Sequence, residues 1–181
     1  MLSMLVVCTG NICRSPAAQL LLADVLDSSV SVSSAGTRAL VGAAVAEPVA
    51  RRLTGLGIDT SGFTARALDS SLVERSDVVV TMTAEHRAAV LGVVPGALRR
   101  TFLLTELVLL AEHAGADAVS GRDDEARLRA LVAAAGRTRA TIGPARAHDV
   151  ADPYGREDAR YAEMLAEVRE QATRLRCALR R

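Results

Sequence analysis

The 181-residue chain contains no lysine and no tryptophan, and only 2% of its residues are aromatic. All 22 basic residues are therefore arginine, which we interpret as the codon bias of a GC-rich bacterial genome. The phosphate loop of P-loop nucleotide hydrolases requires Gly-Lys-Ser/Thr, so the lack of lysine excludes that class. A G-x-G-x-x-G dinucleotide-binding motif is absent as well.

A strong net charge and long apolar runs are also lacking. The formal net charge of +1 offers no broad electrostatic attraction to nucleic acid or to a membrane surface. No stretch approaches the 18 apolar residues of a membrane span, and the apolar start lacks the basic region of a signal peptide. Together with a content of three cysteines, these features predict a cytoplasmic protein that binds neither nucleic acid nor membrane.

Short apolar runs alternate with segments of helical periodicity, which is typical of a parallel α/β sheet in one domain. The predicted strands are Met4–Val7, Val30–Ser34, Asp77–Met82 and Arg100–Leu103. The predicted helices are Pro16–Leu26, Ala46–Leu56, Ser70–Arg75, one after a capping Thr83, Thr105–Ala114, Asp124–Ala134 and Glu157–Cys177.

The loop between the first strand and the first helix, Cys8 to Ser15 (CTGNICRS), carries a thiol and a guanidinium at its two ends. Ser15-Pro16 predicts a helix N-cap followed by proline at the first helical position, and a helix N-terminus favours an anion. The loop amides can surround phosphate oxygens, and Arg14 offers them a bidentate fork. The positive charge of Arg14 and the helix N-terminus also favour the thiolate form of Cys8. This loop therefore predicts a phosphate site with its own nucleophile.

Cys8 to Pro16 matches the C-x-G-N-x-C-R-S-P signature of the low-molecular-weight protein tyrosine phosphatases, and Asp152-Pro153-Tyr154 resembles their late Asp-Pro-Tyr segment. The resemblance covers Met1 to about Leu104 and His148 to the end. It implies a flavodoxin-like α/β fold, a single three-layer domain with a central four-stranded parallel sheet flanked by helices. It also implies hydrolysis of phosphotyrosine in a protein substrate, with no metal and no cofactor; a monomer is the default expectation.

The resemblance also implies a role for each site residue. Cys8 is the nucleophile that forms a cysteinyl phosphate, Arg14 binds the equatorial oxygens, and Asp152, rather than Asp149, is the general acid and base. Ser15 donates to the thiolate or caps the helix. The remaining loop residues hold phosphate or loop shape, Asn11 through a left-handed backbone supported by Ser34. These loop residues are Thr9, Gly10, Asn11, Ile12 and Cys13.

Three further positions bear on substrate and redox chemistry. Cys13 is either a small core side chain or, by the resemblance, the partner in a reversible disulfide that protects Cys8. Leu40 and Tyr154 fall where the family builds the walls of its substrate slot, although Tyr154 has packing of the Asp-Pro turn as an alternative role. Ile12 replaces the threonine of similar phosphoarginine phosphatases, which favours phosphotyrosine.

Several positions depart from the family pattern. Gln19, Phe63 and Ser33 stand where Glu, His and Asp are common, which predicts a polar network without charges and an altered rate or pH profile. Gly155 replaces a second tyrosine and thins one wall of the slot. The insertion at about 105–147, with a predicted turn at 136–144, is either an outer elaboration or a lid or docking surface.

Two other functions stay open. Thioredoxin-coupled arsenate reductases share this fold and loop but relay a disulfide through further cysteines. Only Cys177 lies beyond the loop, in a helix where we expect it to pack. A phosphoprotein-binding module without turnover would keep the loop, yet would not need Asp152. The histidines, which show no ligand spacing, are predicted to be surface or capping residues; they are His86, His113 and His148.

Overall fold

Four apolar segments form one parallel sheet, as predicted. The computed structural model describes residues 1–114, 119–142 and 147–181, without the side chains of 140–142. The strands lie in the spatial order β2-β1-β3-β4, the order of flavodoxin-like doubly wound sheets. Their bounds are β1 Leu2–Cys8, β2 Val30–Gly36, β3 Val78–Thr81 and β4 Thr101–Leu103.

The helices of the described residues lie close to their predicted positions. Thr83 caps α4 by accepting the N–H of His86, which confirms the predicted cap. The predicted turn at 136–144 is wrong as far as residue 142, because α6 continues to Ile142; residues 143 and 144 lie outside the described residues. No described helix has the length and apolar character needed to cross a membrane. The helices are α1 Arg14–Val25, α2 Glu47–Gly55, α3 Ser70–Glu74, α4 Ala84–Val93, α5 Leu104–His113, α6 Asp124–Ile142 and α7 Asp158–Leu179, with a 3₁₀ turn at Pro95–Arg100.

Helices cover both faces of the sheet, so the domain has three layers. Side chains alternate along β1, and Met4 and Val6 pack in the larger core with α1, α5 and α7. Leu5 and Val7 face the smaller core with α3 and α4. Because β1 is buried on both faces, it reads as a continuous apolar run rather than as an alternating one.

The last helix, α7, packs against α1 and α5 through one apolar face. This face is buried, with Tyr161, Met164 and Leu175 all below a tenth exposed. The predicted packing of Cys177 is wrong, because this side chain is exposed. An α-helix turns through about 100° per residue, so Cys177, two positions after the buried Leu175, points to a different side of α7.

The segment predicted to be an insertion contains the helix α6, which is tied to the main fold. The backbone N–H of Asp27, in the α1–β2 connection, donates to Asp124 Oδ2 at 2.9 Å, and the N–H of Asp124 donates back to Asp27 at 3.0 Å. Arg127 and Arg180 both pair with the fully buried Asp124 carboxylate. Leu128 and Leu131 join the larger core. A lid or docking role for this segment stays a prediction.

We expect Asp124→Ala to lower the free energy of unfolding by about 2 kcal/mol, because it removes charge-assisted hydrogen bonds from a buried carboxylate. Urea denaturation provides the measurement. Glu163→Gln is the matched control, since it removes an exposed pair with Arg160 and costs less than about 0.5 kcal/mol. Equal losses in the two variants would contradict the anchoring role of Asp124.

Candidate active site

The Cys8–Ser15 loop joins the end of β1 to α1, but the helix begins earlier than predicted. Its first residue is Arg14, and Cys13 occupies the N-cap position without a side-chain hydrogen bond. The predicted N-cap role of Ser15 is therefore wrong. Its hydroxyl lies inside the loop, 2.9 Å from Cys8 Sγ. Ser15 instead lies in the first turn of α1, and from this position its hydroxyl reaches the sulfur.

A directed chain of hydrogen bonds ends at Cys8. Asn11 Nδ2 has two hydrogens, which it donates to Ser15 Oγ at 2.9 Å and to Ser34 Oγ at 2.8 Å. Ser15 already accepts from Asn11, so its own hydrogen is available for Cys8 Sγ. A donor to sulfur stabilises the thiolate form. The geometry is compatible with the donor to the sulfur that the resemblance implied, and this role of Ser15 stays a prediction.

The other end of this chain is neutral. Ser34 donates to Gln19 Oε1 at 2.6 Å, so the network closes on an amide oxygen. Of the three positions that depart from the family pattern, Gln19 alone contacts the network. Ser33 donates to the Met4 carbonyl at 3.5 Å, and Phe63 packs against the larger core.

Asn11 fixes the shape of the loop. It is fully buried, and it adopts φ 54°, in the left-handed region that the sequence analysis predicted for it. Its Oδ1 accepts the N–H of Arg66 at 2.9 Å. Both Nδ2 hydrogens and Oδ1 of Asn11 are therefore paired. Their partners lie in α1, in β2 and in the segment between α2 and α3.

The end of β2 holds the loop along its length. The N–H groups of Thr37, Arg38 and Leu40 donate to the carbonyls of Cys8, Thr9 and Gly10 at 2.9–3.0 Å. Gly36 makes this approach possible, because a Cβ there would lie 2.5 Å from the Thr9 carbonyl oxygen. These bonds hold the loop carbonyls against the segment that follows β2, and none of them uses a loop N–H group.

Asp152 reaches the loop from the other end of the chain. Its Oδ2 lies 2.5 Å from Arg14 Nη2, and its Oδ1 accepts the N–H of Tyr154 at 3.2 Å. The Arg14 side chain is 5% exposed, whereas that of Asp152 is 47% exposed. Asp149, the competing carboxylate, is exposed and instead accepts the first N–H of α4, from Ala84, at 2.8 Å.

A cavity of about 180 Å³ lies over the loop. Cys8, Arg14 and Asp152 line it together with Leu40 and Tyr154, both of which are also exposed. Asn11, Ser15 and Ser34 lie behind the loop and do not line it. Arg38, which the sequence analysis did not single out, lines the cavity as well. The remaining lining residues are Thr9, Gly10, Ile12 and Cys13.

Cys13 lies in the same cavity lining as Cys8 and is a protonated thiol. Burial raises the pKa of Cys13 to about 12, and the nearby charges of Cys8 and Asp152 add to this shift. Cys13 therefore does not compete with Cys8 as a nucleophile at neutral pH. Both thiols are free in the structure, so their disulfide stays a prediction.

His86 is the site neighbour that sequence reasoning missed. Of its two predicted roles, the capping contact with Thr83 is present, whereas the surface position is wrong because the residue is 3% exposed. Its ring lies between two hydroxyls, with Nε2 2.9 Å from Thr9 Oγ1 and Nδ1 2.9 Å from Thr83 Oγ1. Thr9 Oγ1 in turn accepts from Arg14 Nη2 at 3.3 Å. His86 thereby supports the guanidinium through Thr9.

The His86 ring is held neutral. Burial lowers its pKa to about 4, the positive charge of Arg14 adds to this effect, and the carboxylates of Glu85, Asp152 and Asp149 oppose it. The Thr83-x-x-His86 spacing marks a helix start, yet it does not reveal which way the ring points. That orientation comes from α4 packing beside the loop.

The other two histidines are exposed, as predicted. His113 Nδ1 lies 2.8 Å from the Leu109 carbonyl, and His148 Nε2 lies 3.0 Å from Glu167 Oε1. Within residues 1–114, 119–142 and 147–181, no group of three or more His, Cys, Asp and Glu side chains is placed to hold a metal ion.

We expect Ser15→Ala to slow alkylation of Cys8 by iodoacetamide at neutral pH by about tenfold, because one hydrogen bond to a charged group is lost. Ser15→Thr keeps the hydroxyl and should restore most of the rate. Ser33→Ala is the matched control, since its hydroxyl lies outside the chain of hydrogen bonds. Alkylation of the Ser15→Ala variant at the wild-type rate would contradict the proposed donor.

His86 makes stability depend on pH. Because its pKa in the folded state, about 4, lies below the ordinary value of 6.5, the unfolded chain binds the proton more tightly. The neutral His86 ring therefore contributes its full stabilisation above about pH 6.5. As the pH falls towards 4, the free energy of unfolding loses on the order of 2–3 kcal/mol from this residue. Urea denaturation across this interval should show a smaller loss in His86→Gln than in the wild type. Parallel curves would contradict this assignment.

Known proteins resemble this chain over most of its length. The family model for low molecular weight phosphotyrosine protein phosphatases matches residues 3–117. Among curated relatives, a probable low molecular weight protein-tyrosine-phosphatase, EpsP of Ralstonia solanacearum, is 39% identical over 105 residues, 58% of this chain and 72% of the relative. Etp of Escherichia coli is 37% identical over 101 residues, 56% of this chain and 68% of Etp.

Solved structures match almost the whole chain. The YwlE arginine phosphatase from Geobacillus stearothermophilus superimposes with a TM-score of 0.73 at 26% identity, over 99% of this chain and 94% of that one. The Asp152 segment lies beyond the residues that the family model matches, whereas the structural match includes it. The loop signature, the fold and these similarities agree, and the chain belongs to the low molecular weight protein tyrosine phosphatase family of enzymes.

Proposed function

We propose that the protein hydrolyses phosphotyrosine in proteins through a cysteinyl phosphate on Cys8. The observation that carries the proposal is one cavity that contains a sulfur with a hydrogen-bond donor, a buried guanidinium and a half-exposed carboxyl. These three groups supply a nucleophile, a stabiliser for phosphoryl oxygens and a proton source. Membership of the family supports the same chemistry.

In the first step Cys8 Sγ attacks phosphorus, and the bond from phosphorus to the tyrosine oxygen breaks. The Arg14 guanidinium and the loop amides bind the three equatorial oxygens, on which the negative charge of the transition state is spread. Asp152, which is half exposed and takes up a proton from water once the phosphate has displaced it from Arg14, gives that proton to the departing oxygen, because a phenolate leaves poorly without one. The products of this step are the tyrosine side chain and a cysteinyl phosphate.

In the second step water attacks the phosphorus of the cysteinyl phosphate. Asp152, now a carboxylate, accepts the proton of that water, and the sulfur–phosphorus bond breaks to release inorganic phosphate and the Cys8 thiolate. Ser15 donates its hydrogen bond to the sulfur both before attack and on departure. Neither step requires a metal or an organic cofactor.

The ion pair between Arg14 and Asp152 links phosphate binding to proton transfer. Arg14 Nη2 is 2.5 Å from Asp152 Oδ2, so the group that binds phosphate also restrains the acid. A phosphate dianion competes for the guanidinium with two charges against one. Binding of substrate therefore releases the carboxyl towards the leaving oxygen, and the half-exposed position of Asp152 allows that movement.

The walls of the cavity favour an aryl phosphate. Leu40 and Tyr154 contribute apolar and aromatic surface above the loop, which suits a phenyl ring. Ile12 is 8% exposed and places no hydroxyl in the cavity to meet a guanidinium. We therefore propose phosphotyrosine rather than the phosphoarginine that the name of the YwlE structure indicates for that protein.

The remaining sequence predictions carry over as proposals. We propose a single domain in which about 105–147 is an insertion, a monomer, and Cys13 as a redox partner of Cys8. Arsenate reduction is disfavoured because the exposed Cys177, the third cysteine of the chain, lies near the end of α7 rather than next to the loop.

We expect Cys8→Ser to abolish phosphate release from a phosphotyrosine peptide, and Asp152→Asn to lower kcat by roughly 10²–10⁴-fold. The loss in Asp152→Asn should be smaller with p-nitrophenyl phosphate, because nitrophenolate leaves without protonation. A burst of nitrophenol equal to the enzyme concentration, in rapid mixing, would detect the cysteinyl phosphate.

Asp149→Asn is the matched control, since this carboxylate lies nearby in the chain but binds the amide of Ala84. It should retain nearly full activity. Equal losses in Asp149→Asn and Asp152→Asn would contradict the assignment of the acid. A peptide bearing phosphoarginine, tested beside the phosphotyrosine peptide, should be hydrolysed more slowly; the reverse order would contradict the proposed substrate.

A further inference from the structure

One cation in the catalytic cavity has no role in the chemistry described above. Arg38 lines the cavity beside Leu40, and its side chain is exposed. The other charged residues of the lining, Arg14 and Asp152, are paired with each other. Among the described residues, the Arg38 guanidinium has neither a hydrogen-bond partner nor a carboxylate partner. It is a free positive charge at the entrance to the site.

The backbone of Arg38 is fixed relative to the bound phosphate position. Its N–H donates to the Thr9 carbonyl at 2.9 Å, and the flanking Thr37 and Leu40 bind the carbonyls of Cys8 and Gly10. Arg38 is thus joined directly to the loop that holds the phosphoryl group. Because the backbone of Arg38 is held in place, its side chain reaches a limited region next to the cavity.

The position of Arg38 suggests which part of a substrate it meets. An extended peptide advances about 3.3 Å per residue, so residues next to a phosphotyrosine seated in the cavity pass within reach of an arginine side chain at its wall. A carboxylate there gains a bidentate, charge-assisted pair, while a lysine or arginine is repelled. With substrate bound, Arg14 holds the phosphate and Asp152 carries the proton that it donates, so Arg38 is the charged side chain of the lining that is left for the neighbouring residue.

We propose that Arg38 is a specificity-determining residue that selects phosphotyrosine with an acidic residue next to it in the chain. This inference rests on the proposed phosphatase function and adds a substrate class to it. Arg38 acts on the neighbour of the phosphotyrosine and not on the phosphoryl group, which Arg14 and the loop amides bind.

The test uses three phosphotyrosine peptides that are identical except for acidic, amide or basic residues on both sides of the phosphotyrosine. An exposed ion pair changes a binding equilibrium constant by about two- to fivefold. Wild-type kcat/KM should therefore fall by about that factor when the acidic residues are replaced by amides, and again when the amides are replaced by basic residues. The difference should appear mainly in KM, since the pair forms equally in the ground and transition states. It should shrink as salt is added.

Arg38→Gln should make the three peptides equivalent, and Arg38→Glu should invert their order. Arg99→Gln is the matched control, because Arg99 is also an exposed arginine without a partner among the described residues, yet it lies on the 3₁₀ turn and lines a different cavity. The order of the peptides should be unchanged in this variant.

Phenyl phosphate, which has no neighbouring residues, separates the outcomes. If Arg38→Gln slows phenyl phosphate as much as the acidic peptide, Arg38 contacts the phosphoryl group or the ring, and the proposal is overturned. Equal wild-type rates on all three peptides also overturn it, while leaving the phosphatase function intact. Failure of the wild type to hydrolyse phenyl phosphate and every peptide would instead overturn the proposed function.

Discussion

The structure of this site depends on one buried side chain in a left-handed backbone conformation. Asn11 sits in the middle of the loop at φ 54°, and its side-chain amide bonds to Ser15, Ser34 and the backbone of Arg66. A buried amide that left any of these groups unpaired would cost about 1–3 kcal/mol per group. The same bonds that stabilise the loop therefore orient the hydroxyl that serves Cys8.

The fold brings the remaining groups to this loop from distant parts of the chain. Parallel strands end at one edge of the sheet, and the connections after β1 and β3 turn to opposite faces, which creates a crevice at that edge. His86 enters the crevice from α4 and contacts Thr9. Asp152 arrives from the segment before α7 and contacts Arg14. The crevice thus gathers groups that are separated by up to 138 residues.

The hydrogen-bonded side chains that link Cys8 to Gln19 carry no charge. This chain of bonds passes from Cys8 through hydroxyls and amides to Gln19, and the buried His86 is held in its uncharged form by its lowered pKa. Arg14 and Asp152, which pair with each other, are then the charges that approach the sulfur.

The sequence alone determined the sheet and the position of the loop, since strand alternation and the loop motif are local patterns. It also placed Asn11 in a left-handed conformation, because this preference belongs to the residue type. The first helical residue, the orientation of Ser15 and the burial of His86 were decided by the tertiary structure. So were the exposed position of Cys177 and the free charge of Arg38. Each of these depends on which element packs against which, and a linear pattern contains no information about the direction of a side chain between two elements.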